Sequence, residues 1–182
     1  FSQRFTHWPT ISEYNEILQE GVYPFRVEFQ PEVGQRRRRK IRKKEKNTVS
    51  TIGYYLSTVV EKHSIPTREK NWHDFLNLIV WMKFPKTRLY LHELFFIETK
   101  IPGFDPGRRS RRANRITSFD EGGSFFFPET GEKILFGHGL MECYLAGFSE
   151  INSLSFTFQG VSTFDLDSFM ENELRRKADS FL

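Results

Sequence analysis

The chain has 182 residues, 38% hydrophobic and 16% aromatic, which suits one domain, 1–182, with a sizeable core. No run approaches the ~18 apolar residues that a membrane span needs, and the single cysteine, Cys143, excludes an internal disulfide. The formal net charge of +4 argues against a uniformly basic protein, because it is the sum of two basic patches and an acidic body.

The patches are local. Residues 36–46, RRRRKIRKKEK, hold nine bases and one acid, and the rest of the chain then has 18 bases against 22 acids. Residues 108–115, RRSRRANR, add five arginines; without both patches 13 bases face 22 acids. Each patch is a candidate contact for an anionic ligand or a nucleic acid. A lone thiol makes a reducing, cytoplasmic compartment the default, and Cys143 reads as a small core residue within a helix. The first residue is Phe rather than Met, so removal of an upstream segment, a signal peptide included, stays open.

In chain order, TISEYNEILQEG predicts a short helix capped by Thr10 or Ser12 and stopped by Gly21. FRVEFQ (25–30) alternates as a strand. The run 36–46 has few apolar residues and reads as a loop or exposed extension. A helix follows at 51–64, ended by Pro66. Residues 72–84 form a helix with apolar groups on every side, which the fold must surround. Pro85 suits the first turn of the next helix, 86–98. After the loop IPGFDPG, the pattern predicts a hairpin: strand 115–120, turn Glu121-Gly122-Gly123, strand 124–127. ILFGHGLMECYLAG predicts a helix closed by Gly147, SLSFTFQ (153–159) a strand, and 165–181 a charged amphipathic helix. Helices with short, clustered strands give an α+β fold: mostly helical, with a small antiparallel sheet around the 115–127 hairpin and a buried central helix at 72–84.

Polar groups crowd the entrance to that central helix. Arg68, Asn71, His73, Asp74 and Asn77 precede or interrupt an otherwise apolar run. Asn71 and Asp74 have the spacing of a capping pair, and Asp74 complements the helix dipole. His73 and Asn77 share a stripe one turn apart. A histidine in the first turn is held neutral by the positive helix end, as a base or a metal ligand must be. Its ordinary alternative is a buried histidine bonded to a backbone carbonyl. Further on, His138 and Glu142 stand four apart, so both can reach one metal ion or one substrate; the ordinary alternative is a surface ion pair. Gly137 and Gly139 flank His138 and point to close approach of a backbone or ligand. Asp120 and Glu121 end a predicted strand, a good place for chemistry and also ordinary turn residues. His92 shares a helical face with Arg88.

The order IPTREKNWHDFLNLIVWMKFP, ITSFDEGG, FGHGLMEC resembles the bacterial family known as domain of unknown function 3025. The resemblance covers roughly residues 1–150 and is strongest at 65–145. It extends to Pro66, Thr67, Arg68, Asn71, Trp72, His73, Asp74, Asn77, Trp81, Phe84, Pro85, Thr117, Phe119, Asp120, Glu121, Gly123, Gly137, His138 and Glu142. His92 departs from it, standing where the family has asparagine, and the basic run 36–46 lies outside its pattern. The resemblance implies a bacterial source and supplies positions, with no reaction attached.

Buried polar groups need partners, since an unpaired one costs ~1–3 kcal/mol. Those most available to the helix 72–84 are Asp120, Glu121, His138 and Glu142. The expectation is a hydrolase-like enzyme with His73, Asp120, Glu121, His138 and Glu142 as catalytic groups and Arg68, Asn71 and Asn77 binding substrate. A divalent metal, iron, manganese or zinc, would sit on His73, His138 and Glu142; a metal-free His–carboxylate pair is the other form of the same site. Two further classes stay open: nucleic-acid binding through 36–46, and an interaction module whose polar network only fixes the fold.

Overall fold

The computed structural model describes residues 7–20, 25–29, 51–105, 108–148, 153–157 and 165–181. The basic run 36–46 lies outside them. The chain is α+β and divides into two compact units, Phe1–Asn71 and Trp72–Leu182.

In the first unit, helix α1 (Ile11–Glu20) starts on a reciprocal cap: Thr10 N donates to Glu13 Oε2 at 2.8 Å, and Glu13 N donates to Thr10 Oγ1 at 3.3 Å. Strand β1 (Arg26–Phe29) pairs in parallel with β2 (Ser64–Thr67), across helix α2 (Thr51–Lys62). Val27 and Ile65 are register partners and both are buried. Asn15 clips α1 to β1, donating to Val27 O at 3.0 Å and accepting from Val27 N at 2.7 Å. Helix α2 stops two residues short of the expected 64, because His63 turns to φ 51° and the chain extends into β2.

The second unit opens with α3 (Trp72–Lys83) and α4 (Pro85–Lys100), joined through Phe84. Only Trp72 and Lys83, the ends of α3, are exposed. Pro85 occupies the first turn of α4, where its missing N–H costs nothing. Helix α5 (Arg111–Gly122) leads directly into β3 (Gly123–Phe127), then β4 (Glu132–Leu135), α6 (His138–Leu145), β5 (Leu154–Thr157) and α7 (Leu166–Phe181). The sheet order is β4-β3-β5, antiparallel between β3 and β4 and parallel between β3 and β5. Its inner face meets a phenylalanine cluster: Phe136 lies 5.2 Å from both Phe119 and Phe125, ring centre to centre. The N-terminus of α4 is capped from a distance. Asp167, at the start of α7, accepts from Lys86 N at 2.8 Å, Thr87 N at 3.0 Å and Thr87 Oγ1 at 2.7 Å.

Four expectations are corrected. Residues 115–120 are helix, not the first strand of a hairpin. Ala113, Ile116 and Phe119 are buried at three-residue intervals, a helical stripe that alternation concealed, and Ser110 Oγ caps the helix by accepting from Ala113 N at 3.0 Å. The hairpin lies later: β3 turns at Pro128–Gly131, where Gly131 takes φ 70°, and returns as β4, whose last two residues, Ile134 and Leu135, open the segment expected to be helical. The sheet is mixed rather than antiparallel, because β5 runs parallel to β3. Cys143 is exposed, not a core residue, because the chain is exposed throughout Glu142–Phe148.

Candidate functional site

Three turns of helix converge within the second unit. His73 lies in the first turn of α3, Glu121 in the last turn of α5, and His138 is the first residue of α6. The end of α5 and the start of α6 can meet because Gly137 and Gly139 have no side chains. A Cβ on Gly137 would lie 2.4 Å from the Glu121 carbonyl oxygen, and one on Gly139 would lie 2.9 Å from Glu121 Oε2. The glycines flanking His138 thus serve a close backbone approach. Gly123 O fixes the same junction, accepting from Phe136 N at 3.0 Å and Gly137 N at 2.8 Å.

His138 is 3% exposed. Its Nδ1 donates to the backbone carbonyl of Asp120 at 3.2 Å, which leaves Nε2 with a lone pair. That atom lies 3.3 Å from Glu121 Oε2 and 3.1 Å from His73 Nε2. His73 is built the same way: its Nδ1 faces Glu142 Oε2 at 3.2 Å, and a carboxylate there calls for a proton on Nδ1. The two imidazoles meet edge to face, 4.5 Å between centres. Nitrogen, nitrogen and carboxylate oxygen therefore point into one space, all within 4.8 Å of one another, as a group that could hold a metal ion.

Charge is distributed to suit this. Burial, then the nearby Arg88 guanidinium, push His138 down to about 3, so its imidazole is neutral at ordinary pH. Burial, then the charge of Asp120, raise the Glu121 carboxyl above its usual value. Burial alone would raise Asp120 too, but Arg88, His92 and His138 outweigh it and hold that carboxyl below the usual range. Arg88 Nη2 donates to Asp120 Oδ1 at 2.7 Å.

The expected residues thus separate. His73, Glu121, His138 and Glu142 are brought together. Asp120 joins by its backbone carbonyl, while its side chain turns inward to Arg88. Glu142 is on the far nitrogen of His73, so the third member of the convergent group is Glu121. Asn77 is buried, and its carbonyl accepts from Arg88 Nη1 at 3.3 Å. Arg68 and Asn71 belong to the first unit, where Arg68 Nη2 donates to Asn71 Oδ1 at 3.3 Å. Asp74 is buried in the first turn of α3. His92 donates from Nδ1 to the Arg88 carbonyl one turn back at 2.8 Å, an ordinary buried histidine. Sequence reasoning gave Arg88 no role. Its signal was an arginine directly before the run LYLHELFF in the same helix, and its partner lies 32 residues away.

No curated protein and no solved structure matches the chain. A family described as protein of unknown function (DUF3025) matches residues 41–134, a span that holds His73, Asp120 and Glu121 and ends before His138. That span is just over half of the 182 residues, and the chain belongs to the DUF3025 family of proteins of unknown function.

Proposed function

We propose that His73, Glu121 and His138 form a divalent-metal centre and that the protein is a metal-dependent hydrolase. The observation that carries this reading is the orientation of the two imidazoles. Both give their Nδ1 protons away, to Glu142 and to the Asp120 carbonyl, and both turn Nε2 inward at 3.1 Å. Facing lone pairs repel unless a cation lies between them. Metal-bound histidines are held in this manner, with the second nitrogen donating to a carboxylate or carbonyl. Two of the three spacings fit as well: bonds of ~2.0–2.1 Å at tetrahedral to octahedral angles set neighbouring ligand atoms about 2.9–3.4 Å apart, against 3.1 Å and 3.3 Å from His138 to His73 and to Glu121, and all three ligand atoms lie within 4.8 Å of one another.

Two histidines and one carboxylate leave coordination positions for water and substrate. A metal there would polarise the substrate and lower the pKa of bound water toward ~7, supplying hydroxide at neutral pH. Glu142 has the place of an orienting group, holding the tautomer of His73. Zinc, manganese or iron suits this donor set.

Titration calorimetry with Zn2+ and Mn2+, together with elemental analysis of the purified protein, tests the reading. One ion per chain is expected. His73→Ala, His138→Ala and Glu121→Gln should each abolish binding, and Glu142→Gln should weaken it about 10- to 100-fold. Wild-type protein that takes up neither ion sinks the metal centre. A second reading then follows from the 3.1 Å nitrogen–nitrogen contact, which is hydrogen-bond distance: the cation is a proton, and the histidines are an acid–base pair.

A further inference from the structure

Arg88 is buried on α4, and its two terminal nitrogens bond to two different helices of the site. Nη2 donates to Asp120 Oδ1 on α5 at 2.7 Å, and Nη1 donates to the Asn77 carbonyl on α3 at 3.3 Å. Both acceptors adjoin members of the convergent group. Asn77 lies one helical turn after His73, and Asp120 is the residue before Glu121. Asp120 also faces two ways. Its carboxylate goes to Arg88. Its carbonyl is one of the last four of α5, which have no partner within the helix, and it accepts from His138 Nδ1 at 3.2 Å. His73, Glu121 and His138 are thus each joined to a group that one guanidinium holds: by a helical turn, a peptide bond and a hydrogen bond.

We infer that Arg88 is a positioning residue of the centre: through Asp120 and Asn77 it sets α5 and α3 in the relative placement that brings Glu121, His138 and His73 onto one ion. This role rests on the metal-centre reading and deepens it. Arginine suits the task because its planar fork sends donors in fixed, diverging directions. Lysine has a single nitrogen on a flexible stem and cannot reproduce both bonds. Charge alone gives no reason for an arginine here, since a guanidinium near the site repels a cation; the paired Asp120 carboxylate offsets that repulsion. Stability alone gives none either, because an apolar pair of similar volume often holds a fold as well as a buried ion pair does. What apolar side chains cannot supply is direction, and two directed bonds tie the backbone at Asp120 and Glu121 to α3.

The test uses the full chain, Zn2+ titration calorimetry, and two-bond 1H–15N correlation spectra of the metal-free protein at pH 7, which show the nitrogen on which a neutral histidine carries its proton. Arg88→Lys keeps the charge and loses the fork. Arg88→Met/Asp120→Leu removes one charge of each sign, so the net charge is unchanged, and it supplies the apolar replacement should the lysine variant fail to fold. Phe127→Leu, at the end of β3 remote from Glu121, is a control that loosens the core. Urea unfolding checks that each variant is folded at the assay temperature. Wild type should hold the His138 proton on Nδ1. Arg88→Lys and the double variant should weaken Zn2+ binding about tenfold or more and mix the His138 tautomers, while Phe127→Leu changes neither. A folded Arg88 variant with wild-type zinc affinity and a fixed tautomer overturns the inference and leaves the metal centre standing. Equal losses in Phe127→Leu overturn it too, by showing that any softening of the core has the same effect. Wild-type protein that takes up no Zn2+ sinks the metal centre. Tautomers that still mix in the Arg88 variants then support Arg88 as the residue that positions the histidine pair, and a tautomer that stays fixed removes that role as well.

Discussion

Arg88 has no exposed side-chain surface. Its guanidinium joins two of the helices that build the site, through Asp120 Oδ1 on α5 and the Asn77 carbonyl on α3, and it lies 5.1 Å from the Trp81 ring centre. Removing one partner of a buried ion pair leaves the other charge stranded, at ~3–5 kcal/mol. Arg88→Met should therefore lower stability by about 3 kcal/mol or more in urea unfolding, and adding Asp120→Asn should restore part of it. A loss under ~1 kcal/mol would mean that this pair holds nothing together. His138 gives a second expectation at this scale. Its pKa falls from about 6.5 in the unfolded chain to about 3 in the fold, so between those values only the unfolded chain takes up the proton. Stability is complete above pH 6.5 and is lost as pH falls toward 3. Metal-free protein should lose ~3 kcal/mol from this group between pH 7 and pH 4, and His138→Gln should flatten the profile over that window. The histidines and acids were legible as types that an apolar segment does not need. Which oxygen of which acid faces a given nitrogen was not, because such contacts span up to 69 residues.

At the scale of elements, the junction of α5 with α6 decides the geometry of the site. Gly137→Ala would drive a methyl group to 2.4 Å from the Glu121 carbonyl, against backbone that cannot swing aside. A loss of ~1–3 kcal/mol is expected from overpacking, with metal affinity falling at least tenfold as His138 shifts from Glu121. Unchanged affinity in Gly137→Ala would show that the junction is looser than drawn. The glycines were readable as marks of close approach, since both are poor helix formers beside a histidine. Helix α5 was not readable in the same way. RITSF alternates just enough to resemble a strand, and the choice fell to burial at Ala113, Ile116 and Phe119, which only the folded chain displays. Placing Asp120 and Glu121 at a strand end followed from that error, but either reading leaves them at the terminus of an element, beside a turn of backbone that can enter a site.

At the scale of the molecule, an α+β fold rich in helix was legible from hydrophobic period and from Pro and Gly positions. Sheet topology was not, because β2 and β4 are four-residue strands too short to show a period. The interior of the second unit is aromatic, with Trp81 1% exposed on α3. Trp81→Ala should cost ~3–5 kcal/mol, and a thermal midpoint within a degree or two of wild type would show that α3 is not part of the core. Among the described residues no helix is long and apolar enough to cross a membrane.

The remote cap of α4 bears on the order in which the second unit assembles. The donors at Lys86 and Thr87 receive Asp167 from about 80 residues further on, so during synthesis they stay with water until the start of α7 has left the ribosome. A contact across that much chain forms late, after local structure has reduced the loop to be closed. Asp167→Ala should accordingly speed unfolding and leave the refolding rate nearly unchanged, and the first turn of α4 should exchange its amide hydrogens sooner than the turns that follow.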